Sequence, residues 1–397
     1  IGYLAAPEGV VPWLRNELHA FQIQNPGITV RLLAPSFPAR AELPIQDINV
    51  LPNVFCVDSQ SGDELPYLTE NGLIVPLTSA GLENGEVLER LPSDLMDAAT
   101  QNGQVWGVPF LCSNLVLAYR PELLSKSGIV GPPGTWQEFL DVCNILAKPP
   151  SGGHWRQFGC CLNETGDTLL YTFLSMLIQG GGKIVENGKF VLDYEPLGQA
   201  VTTIQSVIGA ESIIQIRESM EEAIQMNFPR SAMYIVDTSD VGHILALRDI
   251  AFAPLPTFVG NERLTVAHRK LYFVVRHSSQ AQEYASWRRI MWLTRMERSF
   301  PRQWGSYPVP LASSYPVGTL PGTDLSTPRQ IYGVVAAAVD LGFAPKRREA
   351  MASFWRYLAP VLELDNVTER HLSVAISTAN QEIERAEIPG TKIVSDR

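Results

Sequence analysis

The sequence predicts an α/β protein, and three observations carry that prediction. Helix-period and strand-like apolar patterns alternate through the first third of the chain. Several apolar runs close on polar residues, as strand ends do in such folds. The chain of 397 residues also has room for two or three domains at about 100–200 residues each.

Taken in order, Ile1–Ala5 reads as a strand, and Leu14, Leu18 and Phe21 mark one face of a helix. Asn25-Pro26-Gly27 turns into a strand over Ile28–Leu33. Pro52–Asp58 is an apolar strand that closes on a carboxylate. A helix then runs towards Glu70, stops at Asn71-Gly72 and gives way to a strand over Leu73–Leu77. This βαβα order calls for a mostly parallel sheet with helices on both faces. Gly103 and Gly107 flank a short hairpin arm, and Pro109, which has no N–H, is expected to end ladder pairing. Leu115–Tyr119 suits a buried strand. Thr135 with Glu138 makes a capping box, after which Phe139, Cys143 and Leu146 recur at i, i+4 and i+7. Leu169–Ile178 is helical and stops at Gly180-Gly181-Gly182, and Asn187-Gly188 turns a hairpin. Strands follow over Phe228–Ile235 and Leu271–Val275. A helix then places Tyr284, Trp287 and Met291 on one face, and the last helix carries a stripe of Leu372, Ile376, Ala379 and Ile383.

Composition narrows the function. Hydrophobic residues make up 45% and charged residues 18%, which describes a compact chain with an ample core. The formal charge is −10 with no long basic run, so nucleic acid and anionic membrane surfaces are excluded as partners. The longest apolar run, Leu169–Ile178, falls short of the roughly twenty residues that span a bilayer. Enzyme motifs are absent: there is no P-loop, G-x-S-x-G, H-E-x-x-H or G-x-G-x-x-G. The reading is therefore of a binding protein, with no catalytic residues, no cofactor and no metal. The five cysteines include the adjacent Cys160-Cys161 but no C-x-x-C, and an odd count is no disulfide framework. Cys56 and Cys143 read as small buried hydrophobes.

One ordered set of segments is more specific. It runs Gly103-Gln104-Val105-Trp106-Gly107-Val108-Pro109-Phe110, then Tyr119-Arg120-Pro121-Glu122-Leu123-Leu124, then Gly128, then Pro132-Pro133-Gly134-Thr135-Trp136. Pro52-Asn53-Val54 and Gly72–Leu77 precede it, with Asn53 where an Asp is usual. Phe228–Ile235, Ala251–Pro256 and Gly305–Pro308 follow it. In this order the chain resembles the extracellular solute-binding proteins of ABC importers, in the sugar-binding class that includes maltose- and trehalose-binding proteins. The resemblance implies a periplasmic-binding-protein-like fold of type II, with two discontinuous lobes joined by a multi-segment hinge. Lobe I would hold residues 1–110 and 257–303, lobe II residues 114–253 and 308–397, with the ligand cleft between them. It further implies a monomeric substrate-binding subunit that captures a small carbohydrate or sugar-like compatible solute, such as a mono- or disaccharide or a glycosyl-glycerol. That ligand would pass to ABC transporter permease subunits in the membrane. The place of work would be the periplasm or the extracellular face, with a lipid anchor through a removed N-terminal segment. Export would also permit one disulfide, Cys143 with Cys160 or Cys161. A carbohydrate-active enzyme on the same scaffold, or a binder of an anion or polyamine, stands as the alternative.

Sugar recognition needs donors and acceptors for hydroxyls, and charge-assisted hydrogen bonds are the stronger ones. By the resemblance, Asp58 at a strand end and Glu8 in the loop after the first strand are ligand positions. A helix cap and an exposed loop charge are their respective alternatives. Ser113 and Asn114 follow the first crossing and face the ligand or cap the strand. Asp237 and Asp240, with Thr238 and Ser239 between them, follow the Met233–Val236 strand, and Asp167 precedes the helix of Leu169. His268-Arg269-Lys270-Leu271-Tyr272 stands where relatives read G-G-x-x-(L/I), and Arg269 and Tyr272 there reach the cleft or lie on a lobe surface. Tyr307 lies at the third crossing near Trp304, and Arg348 follows Arg347 in a region that sometimes supplies a ligand Arg. Relatives carry a stacking tryptophan after the Met233–Val236 strand and this chain does not, which favours a small, very polar ligand. Trp106, Trp136, Trp287 and Trp292 read as core.

Overall fold

The computed structural model describes residues 10–31, 52–58, 64–80, 99–149, 157–163, 168–183, 185–186, 189–190, 194–216, 230–238, 249–276, 279–293, 307–308, 338–340, 347–364 and 366–386. In chain order the elements are α1 (Val10–Gln24), β1 (Val54–Asp58), α2 (Glu64–Glu70), β2 (Thr100–Gln101), β3 (Gln104–Val105) and β4 (Gly107–Tyr119). Next come α3 (Pro121–Lys126), α4 (Trp136–Leu146), β5 (Phe158–Asn163), α5 (Thr168–Gln179), β6 (Val185–Glu186) and β7 (Lys189–Phe190). They are followed by α6 (Tyr194–Gly209), β8 (Ile213–Ile216), β9 (Ser231–Asp237), β10 (Ala251–Ala253), β11 (Thr265–Val274) and α7 (Gln280–Leu293). The last are β12 (Tyr307–Pro308), β13 (Ala338–Asp340), α8 (Arg347–Leu362) and α9 (Glu369–Ala386). The expected strand over Ile1–Ala5 and the Asn187-Gly188 turn itself lie outside the described residues, although β6 and β7 pair across that turn.

Two compact units form. One holds Ile1–Asn114, Asp237–Arg248 and Ala267–Phe343; the other holds Leu115–Val236, Asp249–Val266 and Ala344–Arg397. These bounds differ from the expected lobes at several places: Asn114 and residues 237–248, expected in lobe II, fall in the first unit. Residues 257–266 stay with the second unit, where the Thr257 N–H donates to Gly134 O and the Trp136 N–H donates to Thr257 O, each at 3.1 Å. β12 and β13 stay with the first unit because they pair with β4 and β11.

In the first unit, β1 and β4 each pair antiparallel with β11, which lies between them. The mostly parallel sheet expected for the early chain is therefore corrected, because a strand from residues 265–274 reverses direction at its centre. Leu18 and Phe21 of α1 are buried, as their spacing foretold. Phe21 meets Trp292 edge-on at 5.6 Å and carries the Arg289 guanidinium 5.2 Å from its ring centroid, a cation–π contact. On α7, Trp287, Ile290 and Met291 turn inward but Tyr284 is exposed, so the expected face is one residue type short. The strand expected from Ile28 is not formed over its described part, where the Val30 N–H donates instead to Gln22 Oε1 at 2.7 Å. Leu73–Leu77 reduces to a single bridge, Ile74 with Val275. Asn102 (φ 52°) and Gly103 (φ 71°) turn the β2–β3 hairpin, the left-handed pair that a tight hairpin requires. Pro109 does not end the ladder: β4 continues through it, and a register shift between Lys270 and Leu271 leaves Phe110 as the extra residue of a bulge. Bulges are among the few places where a sheet tolerates proline.

In the second unit, β5 pairs in parallel with both β8 and β9, so the parallel sheet is found here. β10 pairs antiparallel with the far end of β4. The Thr135–Glu138 capping box forms in full at the start of α4. Phe139, Cys143 and Leu146 of α4 are fully buried. α5 ends in a Schellman arrangement: Gly182 N–H donates to Leu177 O at 2.9 Å, Gly181 N–H to Ile178 O at 3.0 Å, and Gly181 takes φ 83°. A buried clasp then ties its last residue down. Gln179 Oε1 accepts from Trp136 Nε1 at 2.9 Å while its amide donates to Leu264 O at 2.7 Å. Leu372, Ile376 and Ala379 of α9 are buried as expected.

Glycine positions give a test of this packing. A Cβ at Gly159 would stand 2.3 Å from Cys143 Cα and 2.2 Å from its carbonyl oxygen, so α4 could accommodate it only by moving its backbone. A Cβ at Gly198, inside α6, would meet nothing within 4 Å. Gly159→Ala should therefore destabilise the protein by about 1–3 kcal/mol through overpacking. Gly198→Ala should stabilise it by about 0.5–1 kcal/mol through helix propensity. Urea unfolding of both variants checks the opposite signs.

Candidate ligand-binding site

The register of the first unit lines up much of the expected site. Asp58, the last residue of β1, stands opposite Lys270 of β11, and Lys270 stands opposite Leu111 of β4. One step on, Arg269 pairs with Cys112, then His268 with Ser113 and Ala267 with Asn114. Tyr307 of β12 pairs with Cys112 from the other edge of β4. Beyond these, the buried Asn114 N–H donates to Thr238 Oγ1 at 3.1 Å, and Thr238 directly follows Asp237 at the end of β9. Backbone pairing thus brings Asp58, Ser113, Asn114, Asp237, Arg269 and Tyr307 to one region of the unit.

The bulge at Phe110 sits at the near side of this row. Bulges bend a strand and re-aim its residues, and they recur beside functional sites. Asn114 and Thr238 are fully buried, whereas Asp237 is half-buried. For Asp58, Ser113, Arg269 and Tyr307 the structure fixes the backbone position. The helix that follows Asp58 is described from Glu64 onward.

Other expected positions fall elsewhere. Tyr272 is a correction. It lies in β11 opposite Val108 and Cys56 with no surface exposed, a core aromatic that offers nothing to a ligand. Arg348 stands in the first turn of α8, in the second unit, and no described pairing joins it to the row. Glu8, Asp167 and Asp240 lie outside the described residues. Thr238 and Lys270, which the expected set lacks, also fall in this row. A hydroxyl residue just past an apolar strand was a signal for the first; the second becomes visible only through register. Among the described residues no cluster of three or more His, Cys, Asp or Glu could hold a metal ion. No described helix is long and apolar enough to cross a membrane.

A chain with this topology can be placed by comparison. Residues 9–287 match the family of bacterial extracellular solute-binding proteins, and the chain belongs to that family. Relatives agree in kind. A putative binding protein of Brucella abortus (strain 2308) is 26% identical over 199 residues, which cover 50% of this chain and 46% of the relative. A probable ABC transporter-binding protein of Deinococcus radiodurans is 28% identical over 151 residues, covering 36% of this chain and 35% of that protein. The chain thus aligns over about half or less of these relatives' length. The solved structure of the cyclic alpha-maltosyl-1,6-maltose binding protein from Arthrobacter globiformis superposes with a TM-score of 0.75 at 16% identity, covering 97% of this chain and 98% of that one. The fold is therefore the type II periplasmic-binding-protein-like α/β fold that the sequence motifs implied.

The Asn114–Thr238 bond is open to direct test. Thr238→Val keeps the shape and removes the acceptor of a buried N–H, which should cost about 1–3 kcal/mol. Thr238→Ser should recover most of that loss. Denaturant unfolding of the two variants separates the hydrogen bond from simple packing.

Proposed function

We propose that this protein is the substrate-binding subunit of an ABC importer. In this reading it captures a small, highly polar sugar or sugar-like solute, a mono- or disaccharide or a glycosyl-glycerol, and delivers it to membrane permease subunits without altering it chemically. It works as a monomer in the periplasm or at the extracellular face. Family membership supports the binding role. The names of an ABC transporter-binding relative and of a structural neighbour that binds a cyclic maltosyl-maltose support the importer and the carbohydrate.

The observation that carries the ligand class is the mixed sign of the register row. Asp58 and Asp237 share it with Lys270, Arg269 and His268, and with the amide and hydroxyl types of Asn114, Ser113 and Thr238. A hydroxyl both donates and accepts, so a polyol can bond carboxylates and cations alike. A row that carries both signs together with amide and hydroxyl types suits a neutral polyol better than a ligand of a single charge.

Two measurements test this. A thermal-shift screen of mono- and disaccharides, polyols, glycosyl-glycerols, anions and polyamines should show its largest rise with a neutral hydroxylated ligand, since a ligand bound only by the folded state raises the melting temperature. With that ligand, Asp58→Asn should weaken binding about thirtyfold or more, from loss of a charge-assisted hydrogen bond worth roughly 2–5 kcal/mol. Its unliganded melting temperature should change little. Unchanged affinity by calorimetry would remove Asp58 from the site, and a best hit among anions or polyamines would overturn the ligand class.

A further inference from the structure

Cys143 and Cys160 are both fully buried, one on α4 and the other on β5 of the second unit. Their elements meet at unusually close range. Gly159 lacks the Cβ that would collide with Cys143, so its backbone lies directly against the Cys143 backbone. Cys160 follows one residue on, a Cα step of about 3.8 Å. That leaves the two cysteines at a spacing compatible with the roughly 4.4–6.8 Å that disulfides span between Cα atoms. All three cysteines of this unit are free and buried; the Cys160 thiol donates to Cys161 O at 3.5 Å, and the Cys143 thiol is near enough to raise its pKa. Cys161, its strand neighbour, pairs in register with Tyr234 of β9.

We propose that Cys143 and Cys160 are joined by a disulfide in the exported protein, fastening α4 to β5. The proposal rests on membership of an extracellular family, because thiols in such compartments are exposed to oxidant during folding. It does not rest on the ligand or the importer role. The oxidant is a disulfide-bearing thiol oxidant. One cysteine, as thiolate, attacks a sulfur of that disulfide and forms a mixed disulfide while one thiolate of the oxidant leaves. The second cysteine loses its proton and attacks the protein sulfur of the mixed disulfide, releasing the other thiolate. The protein pair loses two protons and two electrons, and the oxidant ends as two thiols. Burial holds the Cys160 thiol well above its ordinary range, so exchange belongs to the folding chain or an opened state and not to the closed native core. Gly159 then has a second role, since any side chain there would push the two cysteines apart.

The experiment refolds the full chain in mixed oxidised and reduced glutathione, unfolds it without reductant in N-ethylmaleimide, and maps its peptides by mass. The expected result is a dominant Cys143–Cys160 cross-link, lighter than the two free peptides by two hydrogen atoms and lost on reduction. It should persist in Cys161→Ser and vanish in Cys160→Ser. Alkylation of both Cys143 and Cys160 in the unsubstituted protein would overturn the proposal, as would a dominant link through Cys161, Cys56 or Cys112. Sugar binding plays no part in the readout, so this result and the ligand tests succeed or fail separately.

Discussion

The register of β4 against β11 is the constraint on which the first unit depends. β4 runs thirteen residues, giving Gly107–Asn114 to that unit and Leu115–Tyr119 to the other. Side chains on a strand alternate, so a slip of one residue would exchange its two faces throughout. Two features pin the register. The Phe273 ring lies 2.6 Å from where a Cβ on Gly107 would stand, so only glycine fits opposite that residue. The bulge at Phe110 absorbs one extra residue and sets the pairs beyond it, which are the pairs of the candidate site.

Where these strands enter the second unit, buried hydroxyls take over. Ser175 of α5 accepts from the Val266 N–H at 3.1 Å and lies 3.4 Å from the Thr265 hydroxyl. Thr265 in turn donates to Leu115 O at 3.4 Å. Ser175 and Thr265 are both buried. A hydroxyl that deep is tolerated only when bonded, because its desolvation is otherwise uncompensated. Placing Ser in the middle of an otherwise apolar helix thus makes sense through its contacts and not through its helix propensity. It joins α5 to the backbone of two strands far apart in sequence.

Local signals carried most of what was legible in the sequence. The Thr135–Glu138 box, the glycine stop after α5, the α9 stripe and the buried run Leu115–Tyr119 depend on neighbours a few residues away, and each was readable. What failed was long-range. Insertion of β11 between β1 and β4 reverses the sheet, and nothing in residues 52–58 announces a partner more than two hundred positions on. Tyr272 illustrates the cost at the site. Its neighbours looked polar, yet pairing with Val108 and Cys56 places it in the core. The apparent stop at Pro109 failed for the same reason, since a bulge that only pairing reveals lets the strand continue. Asp58, by contrast, closes β1 where the end of an apolar run placed it, because a strand end is a local cue.

The mixed residue types of the register row bear on the proposed ligand class. A charged group withdrawn from water needs a partner, and leaving one buried without compensation costs several kcal/mol. Under the proposed reading, a ring carrying several hydroxyls can donate to a carboxylate and accept from a cation, so each desolvated group regains a bond. A ligand of a single charge offers only half of that exchange, which is why a row of both signs argues for a neutral hydroxylated solute.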